Sequence, residues 1–324
     1  MVNLKHKERV GYKVTSMIKG YIELIRPHNL IASFLTTIIG VLSVYAFIKL
    51  NGFITPDPQY VSSIALLAVI TVVFIAAGGY AINDYFDADI DAVNKPYRPI
   101  PSGRVKRQHA LIYSLILMTL GLATSSIIGI ITSLYALFNA ALLILYSYRI
   151  KRLGVIGNIV ISYLGAASIV FGALALCENI RHISLVSTSF IPAFFAFFLL
   201  LGREIIKTIE DVKADIKKNM RTLPILLGTR KALIISIIPL VLVVSLSLLP
   251  VILYNYGLVY LILALITDAI IVYVILLVAR TIRRWKVNDE EIIALASKLR
   301  AYLKVAIFSG TLAFLLDLMI KTLM

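Results

Sequence analysis

The sequence of 324 residues has one cysteine, Cys177, and one tryptophan, Trp285. A lone cysteine excludes an intrachain disulfide framework and carries no message about redox compartment. Histidine is scarce as well: His6, His28, His109 and His182 are scattered and give no zinc-ligand spacing. Charge is the most telling shortage. Only 15% of residues are charged against 60% hydrophobic, and mean hydropathy is +0.93. A soluble domain of this length needs a charged surface around its core, and this chain lacks the residues to make one.

Long apolar blocks take the place of that surface, as a membrane-spanning chain requires. Uncharged runs cover Leu30–Ile48, Val61–Ile82, Leu153–Cys177 and Ile183–Gly202. Ala110–Tyr148 is long enough for two spans joined by a tight turn. Ala232–Ala279, interrupted by Asp268 and a turn near Pro250–Gly257, reads as two more. Val305–Ile320, containing Asp317, is the last and shortest. The expected fold is all-α: nine transmembrane helices in one bundle, forming a single integral-membrane domain over residues 1–324. Continuous apolar blocks, without alternation, argue against a β-barrel. No signal peptide is expected, because the first 29 residues spread six Lys/Arg over a polar stretch. Residues 1–27 are expected to form a cytoplasmic or interfacial segment, with Tyr12–Ile25 an amphipathic surface helix. Arg280–Arg300, with Trp285, reads as an interfacial loop or short helix.

A net charge of +15 raises nucleic acid as a partner, but the placement of the charge removes it. With nine spans, the N-terminus and the loops after helices 2, 4, 6 and 8 hold 29 of the 32 Lys/Arg. Only Lys49, Arg181 and Lys321 fall on the other side. By the positive-inside rule this is a multi-pass protein of the cell membrane with its N-terminus in the cytoplasm.

Acids are fewer than bases, and 8 of the 17 lie in two cytoplasmic segments, Asp84–Asp91 and Glu204–Asp215. At about 100° per residue, Asp84, Asp87 and Asp91 share a stripe about 60° wide, flanked by Asn83, while Asp89 points away. Glu204, Lys207, Asp211 and Asp215 share a second stripe if one helix carries them all, with Glu210 off it. A salt-bridge ladder accounts for Lys207 but not for the Asp211–Asp215 pair. Oxygen donors without histidine or cysteine suit Mg²⁺, which keeps waters or phosphate oxygens among its ligands. Lys95, Arg98, Lys151 and Lys207 are interleaved with these acids. Acids for a metal and bases for the remaining oxygens make a diphosphate site at the membrane surface. Asp268 is expected to be a paired, bundle-facing carboxylate, and Asp317 to sit near the outer interface.

Asn83-Asp84-x-x-Asp87-x-x-x-Asp91 resembles the first motif of the UbiA superfamily of intramembrane prenyltransferases, and Asp211-x-x-x-Asp215 resembles the second. "NKPYRPIPSGR" and "TLP" follow them as in the family, and "IRPHN" and "LYSYRIKR" sit at matching places. The resemblance runs to about residue 230; beyond it the helices match in number only. "REIIKTIEDVKAD" and "RPIPSGRV" look most like the archaeal digeranylgeranylglyceryl phosphate synthases, with departures at Lys213-Ala214 and Tyr97.

The resemblance implies an Mg²⁺-dependent transfer of a geranylgeranyl group from its diphosphate to geranylgeranylglyceryl phosphate, in a site facing the cytoplasm. Asn83, Asp87, Asp91, Asp211 and Asp215 would hold Mg²⁺, with Asp84 a ligand or a support behind the ligands. Lys95, Arg98, Lys151 and Lys207 would bind the diphosphate; Tyr146 would orient it or face the allylic cation, or else serve as a membrane-interface anchor. Arg26, Arg149 and Arg152 would bind the acceptor's phosphate; His28 either joins them or is a polar helix-entry residue. Two other readings remain at this stage: a UbiA-type enzyme with an aromatic acceptor, and a cation transporter. A transporter would carry its acids near the membrane midplane, whereas these lie at helix ends beside many bases.

Overall fold

The computed structural model describes residues 15–217, 220–284 and 288–323. Among them, nine helices are long and apolar enough to cross a membrane. A helix, α1, spans residues 15–24 of the segment expected at the interface; Trp285 and the earlier part of that segment lie outside the described residues. Arg26 then turns the chain in the left-handed region (φ 50°, ψ 66°), and Pro27 opens α2 (Pro27–Leu50) at a position where a missing N–H costs nothing. The helices that follow are α3 (Pro58–Asn94), α4 (Arg107–Ile128), α5 (Ile130–Tyr148) and α6 (Val155–Asn179). Next come α7 (Phe190–Glu210), the short α8 (Val212–Lys217) and α9 (Leu223–Leu227), and α10 (Thr229–Leu246). The chain closes with α11 (Leu249–Tyr254), α12 (Leu258–Arg283) and α13 (Asp289–Leu323).

The 39-residue apolar run divides at Gly129, as its length demanded. Several helices outrun their apolar blocks, α3 and α13 furthest. α3 has 37 residues, about 55 Å at 1.5 Å per residue, and its last three turns carry the first acidic set. α13 has 35 residues and begins at Asp289, so most of Arg280–Arg300, expected as a loop or short helix, belongs to the long helices α12 and α13. The second acidic set departs from expectation too. Asp211 (φ −85°, ψ 0°) leaves helical geometry and interrupts the ladder, so Glu204 and Glu210 lie on α7, Asp215 on α8 and Asp211 at the break between them.

α2, α6, α7 and α13 form the middle of the bundle, with α3–α5 on one side and α10–α12 on the other. α2 and α6 approach closely because each carries a glycine at the crossing. A Cβ on Gly40 would lie 1.9 Å from the Ile169 carbonyl oxygen, and one on Gly172 would lie 2.0 Å from that of Thr37. Small residues at the seam are how helices pack tightly in lipid, where no hydrophobic force drives them together. The main core joins Ile39, Ile206, Leu240, Ile271 and Leu303. Phe34, Leu66, Phe138, Ile238 and Phe308 stay exposed, as side chains facing acyl chains would.

Both intramembrane acids have partners. Asp268 is half-buried on α12 beside the Ser247 side chain. Asp317 is buried at the end opposite the acidic segments. It accepts the Gly257 N–H at 2.8 Å and pairs with Lys321 at 3.1 Å.

Candidate active site

The last turns of α3 bury Asp84 and Asp91 on one face. One guanidinium joins them: Arg98 Nη1 lies 2.6 Å from Asp91 and 3.2 Å from Asp84. Arg98 is held there by a compact loop. The loop is closed by the Ser102 N–H bonded to the Arg98 carbonyl and by the Val105 N–H bonded to that of Pro99, both at 3.0 Å. Buried Val105 packs with Leu24, Ala81 and Ala110, and Arg104 pairs with Glu23 at 2.7 Å. The proline-broken segment after α3 and helix α1 therefore brace each other.

From the α1–α2 turn, Arg26 reaches the same Asp84 oxygen at 2.5 Å and lies over the Tyr80 ring at 5.3 Å. Its place is thus among the first-motif acids, whereas sequence reasoning set it with the acceptor. Asp87, next on the stripe, pairs with Lys151 at 2.7 Å. Asp89 faces away as its phase predicts, with an 80% exposed side chain paired to Arg107.

Lys151 stands on a 3-10 turn, Ile150–Arg152, at the end of α5. The tail of the second acidic segment docks on that turn. The Arg221 N–H bonds to the Arg152 carbonyl at 3.1 Å, and Gly154 (φ 61°) lies so close beneath the Arg221 carbonyl that a Cβ would meet it at 2.1 Å. Asp215 is buried on α8 and Asp211 half-buried at the break before it. Tyr146, one turn before the Lys151 segment, lies within electrostatic reach of Asp87, Asp215 and Glu204. Acids of both sets thus lie near one phenol.

Other sequence candidates stand further out. His28, Lys95, Arg149 and Arg152 are exposed, and Asn83 is half-buried on α3. Lys207 pairs with Glu204 at 3.1 Å, the salt-bridge alternative raised by the sequence. Glu204 itself is buried and is also bonded by Arg203 at 2.5 Å. Sequence reasoning placed Glu204 on the second stripe but named neither it nor Arg203 as a ligand of metal or substrate. The available signal was register: Glu204 precedes Asp211 by seven residues, as Asp84 precedes Asp91. The site end of α13 braces the second set, with Arg300 on Glu210 at 2.9 Å and Glu290 on Lys213 at 3.0 Å. Lys213, one of the two departures from the family pattern, therefore has an acid partner.

The donors suit a hard cation: carboxylates and one amide oxygen. Among the described residues no three His, Cys, Asp or Glu side chains converge on one point. Mg²⁺ rarely takes an all-protein cage and keeps waters or phosphate oxygens among its ligands.

The UbiA prenyltransferase family model matches residues 28–291. The chain belongs to the UbiA prenyltransferase family. A digeranylgeranylglyceryl phosphate synthase of Hyperthermus butylicus is 43% identical over 313 residues, covering 95% of this chain and 99% of that one. A solved structure described as concerning digeranylgeranylglyceryl phosphate synthase in membranes is 35% identical with a TM-score of 0.70. It covers 93% of this chain and 98% of that one. A UbiA homolog from Archaeoglobus fulgidus, solved with DMAPP and Mg²⁺, shares the fold at 20% identity and a TM-score of 0.54, covering 89% of this chain and 99% of that one.

Proposed function

We propose that this UbiA enzyme transfers a geranylgeranyl group from geranylgeranyl diphosphate to geranylgeranylglyceryl phosphate, completing an archaeal ether lipid. The extent of identity to synthases named for that product supports the acceptor. The observation that carries the chemistry is the pairing of the first-motif carboxylates with bases from three different elements. Those bases are the groups a diphosphate needs, and the carboxylates are the groups a metal needs.

Asn83, Asp87, Asp91, Asp211 and Asp215 would hold Mg²⁺, which when bound neutralises the charge of a departing diphosphate. Arg26, Arg98 and Lys151 turn from the carboxylates to phosphate oxygens; arginine grips them through two N–H groups, lysine as a point charge. Their charge stabilises the diphosphate as the allylic C–O bond breaks and its electron pair leaves with the oxygen. Tyr146, between the two acidic sets, orients the diphosphate or faces the cation. A hydroxyl of the acceptor then forms the new C–O bond and gives up its proton to the diphosphate or a nearby base. The Lys/Arg distribution supports a site facing the cytoplasm and a single domain with a cytoplasmic N-terminus.

A product assay on purified protein tests the reading. Labelled geranylgeranyl diphosphate and Mg²⁺ are offered with geranylgeranylglyceryl phosphate or 4-hydroxybenzoate. Turnover of the lipid phosphate, lost on chelation, is expected. Turnover of the aromatic acid alone would refute the lipid acceptor.

A further inference from the structure

The proposed reaction brings two anions together, a diphosphate and a phosphate monoester, and the structure gathers cations in two places. Arg26, Arg98 and Lys151 collect on the first-motif acids. The second place is α7, where Glu204 takes Arg203 Nη1 on one oxygen at 2.5 Å and Lys207 Nζ on the other at 3.1 Å. Neither Glu204 nor Arg203 belongs to an aspartate motif.

A carboxylate buried on an apolar helix is costly unless it holds cations. Glu204 holds two, as Asp84 does. Arg203 and Glu204 are sequence neighbours, so their side chains leave α7 about 100° apart. The guanidinium turns back to reach the Glu204 oxygen and is thereby kept at the site. Both cations keep part of their surface open, 24% for the Arg203 side chain and 40% for Lys207, so a headgroup can reach them. Glu204 is also within electrostatic reach of Tyr80, and Arg26 lies over the Tyr80 ring, so Tyr80 is near both cation groups. Proximity of the two is what the reaction needs. The glycerol hydroxyl is only a few bonds from its own phosphate and must meet the carbon that the diphosphate is leaving.

We propose that Glu204 is a positioning residue that presents Arg203 and Lys207 as a second anion subsite, and that this subsite takes the phosphate monoester of the acceptor. The inference rests on the lipid-phosphate reading above. It assigns Arg26 to the diphosphate side, since Arg26 and Arg98 share one oxygen of Asp84.

The test uses full-length protein with three substrates: geranylgeranyl diphosphate, geranylgeranylglyceryl phosphate, and geranylgeranylglycerol, which lacks the phosphate. Wild type comes first. If it prenylates only an aromatic acceptor, the lipid reading fails and this inference with it, before any variant is made. If it accepts the lipid phosphate, Arg203→Gln is expected to raise the acceptor KM by about tenfold or more, as loss of a charge-assisted hydrogen bond does. The KM for geranylgeranyl diphosphate and the slow turnover of the neutral acceptor should stay within about twofold, a split no general structural defect produces. Glu204→Gln should follow the same pattern and Glu204→Asp recover part of the loss. Arg203→Gln carries the decision because Glu204→Gln removes a buried charge and threatens folding. An Arg203→Gln variant with an unchanged acceptor KM, or with an equal rise for the diphosphate, overturns the proposal.

Discussion

Asp87→Asn and Asp89→Asn make the same small change two residues apart on α3, and the structure assigns them opposite costs. Asp87 has an 18% exposed side chain and pairs with Lys151, itself 9% exposed. Removing its charge deprives a nearly buried ammonium of its partner and takes one donor from the proposed metal set. Losing one preorganised group that stabilises developing charge costs about 10²–10³ in kcat. Asp89 is 80% exposed and its partner Arg107 42%. Exposed pairs contribute about 0–1 kcal/mol, so Asp89→Asn should cost no more than about fivefold.

Initial rates of labelled product formation at saturating Mg²⁺ read the difference, and thermal unfolding in detergent shows whether each variant is folded. Asn keeps the size of Asp and one acceptor oxygen, which limits the disturbance around Lys151. The prediction is a gap of at least about twentyfold between two folded variants, from the ratio of these costs. Losses within threefold of each other would refute the reasoning, because the helical phase that separates the two residues underlies the whole ligand assignment.

Three further outcomes are expected. Cys177 is the sole cysteine and is buried, so single introduced cysteines report topology cleanly; Ser102→Cys and Arg221→Cys should label from the cytoplasm and Asn51→Cys from outside, and labelling of the first two from opposite sides would break the one-site arrangement. Asp317→Ala should lower the unfolding temperature by stranding Lys321, which lies 4.1 Å over the Tyr256 ring, a loss of about 3–5 kcal/mol; adding Lys321→Met should restore part of it, and no restoration would deny the pair its role. Gly172→Ala should destabilise by about 1–3 kcal/mol through overpacking against Thr37, whereas Gly310→Ala, whose Cβ would meet nothing nearer than 3.6 Å, should be neutral.

Hydropathy located every span because lipid offers no hydrogen bonds, so each crossing segment must be an apolar helix. The same signal misjudged where helices end. The apolar run stops at Ile82 but α3 continues to Asn94, and the last run starts at Val305 while α13 starts at Asp289. Hydropathy reports contact with lipid, and a helix standing clear of the membrane is free to be polar. The acid stripe was legible for a related reason: phase along one helix is local, so Asp84, Asp87, Asp91 and outward Asp89 could be sorted from four letters. What the sequence concealed was pairing. Arg26 meets Asp84 across 58 residues and Lys151 meets Asp87 across 64, distances that no periodicity encodes. Those pairings account for the crowding of acids at the mouth of an apolar helix. Unpaired, the carboxylates of α3 would repel one another and pay for desolvation; the bases from the α1–α2 turn, the loop after α3 and the turn after α5 offset part of that cost. A magnesium diphosphate carries the same two charges. Its metal matches the acids and its phosphates match the bases, so on the proposed reaction each ion pair of the protein is exchanged for one made with substrate. The net charge buried at the site then changes little on binding, and binding energy is left for the transition state, where the leaving diphosphate gains charge.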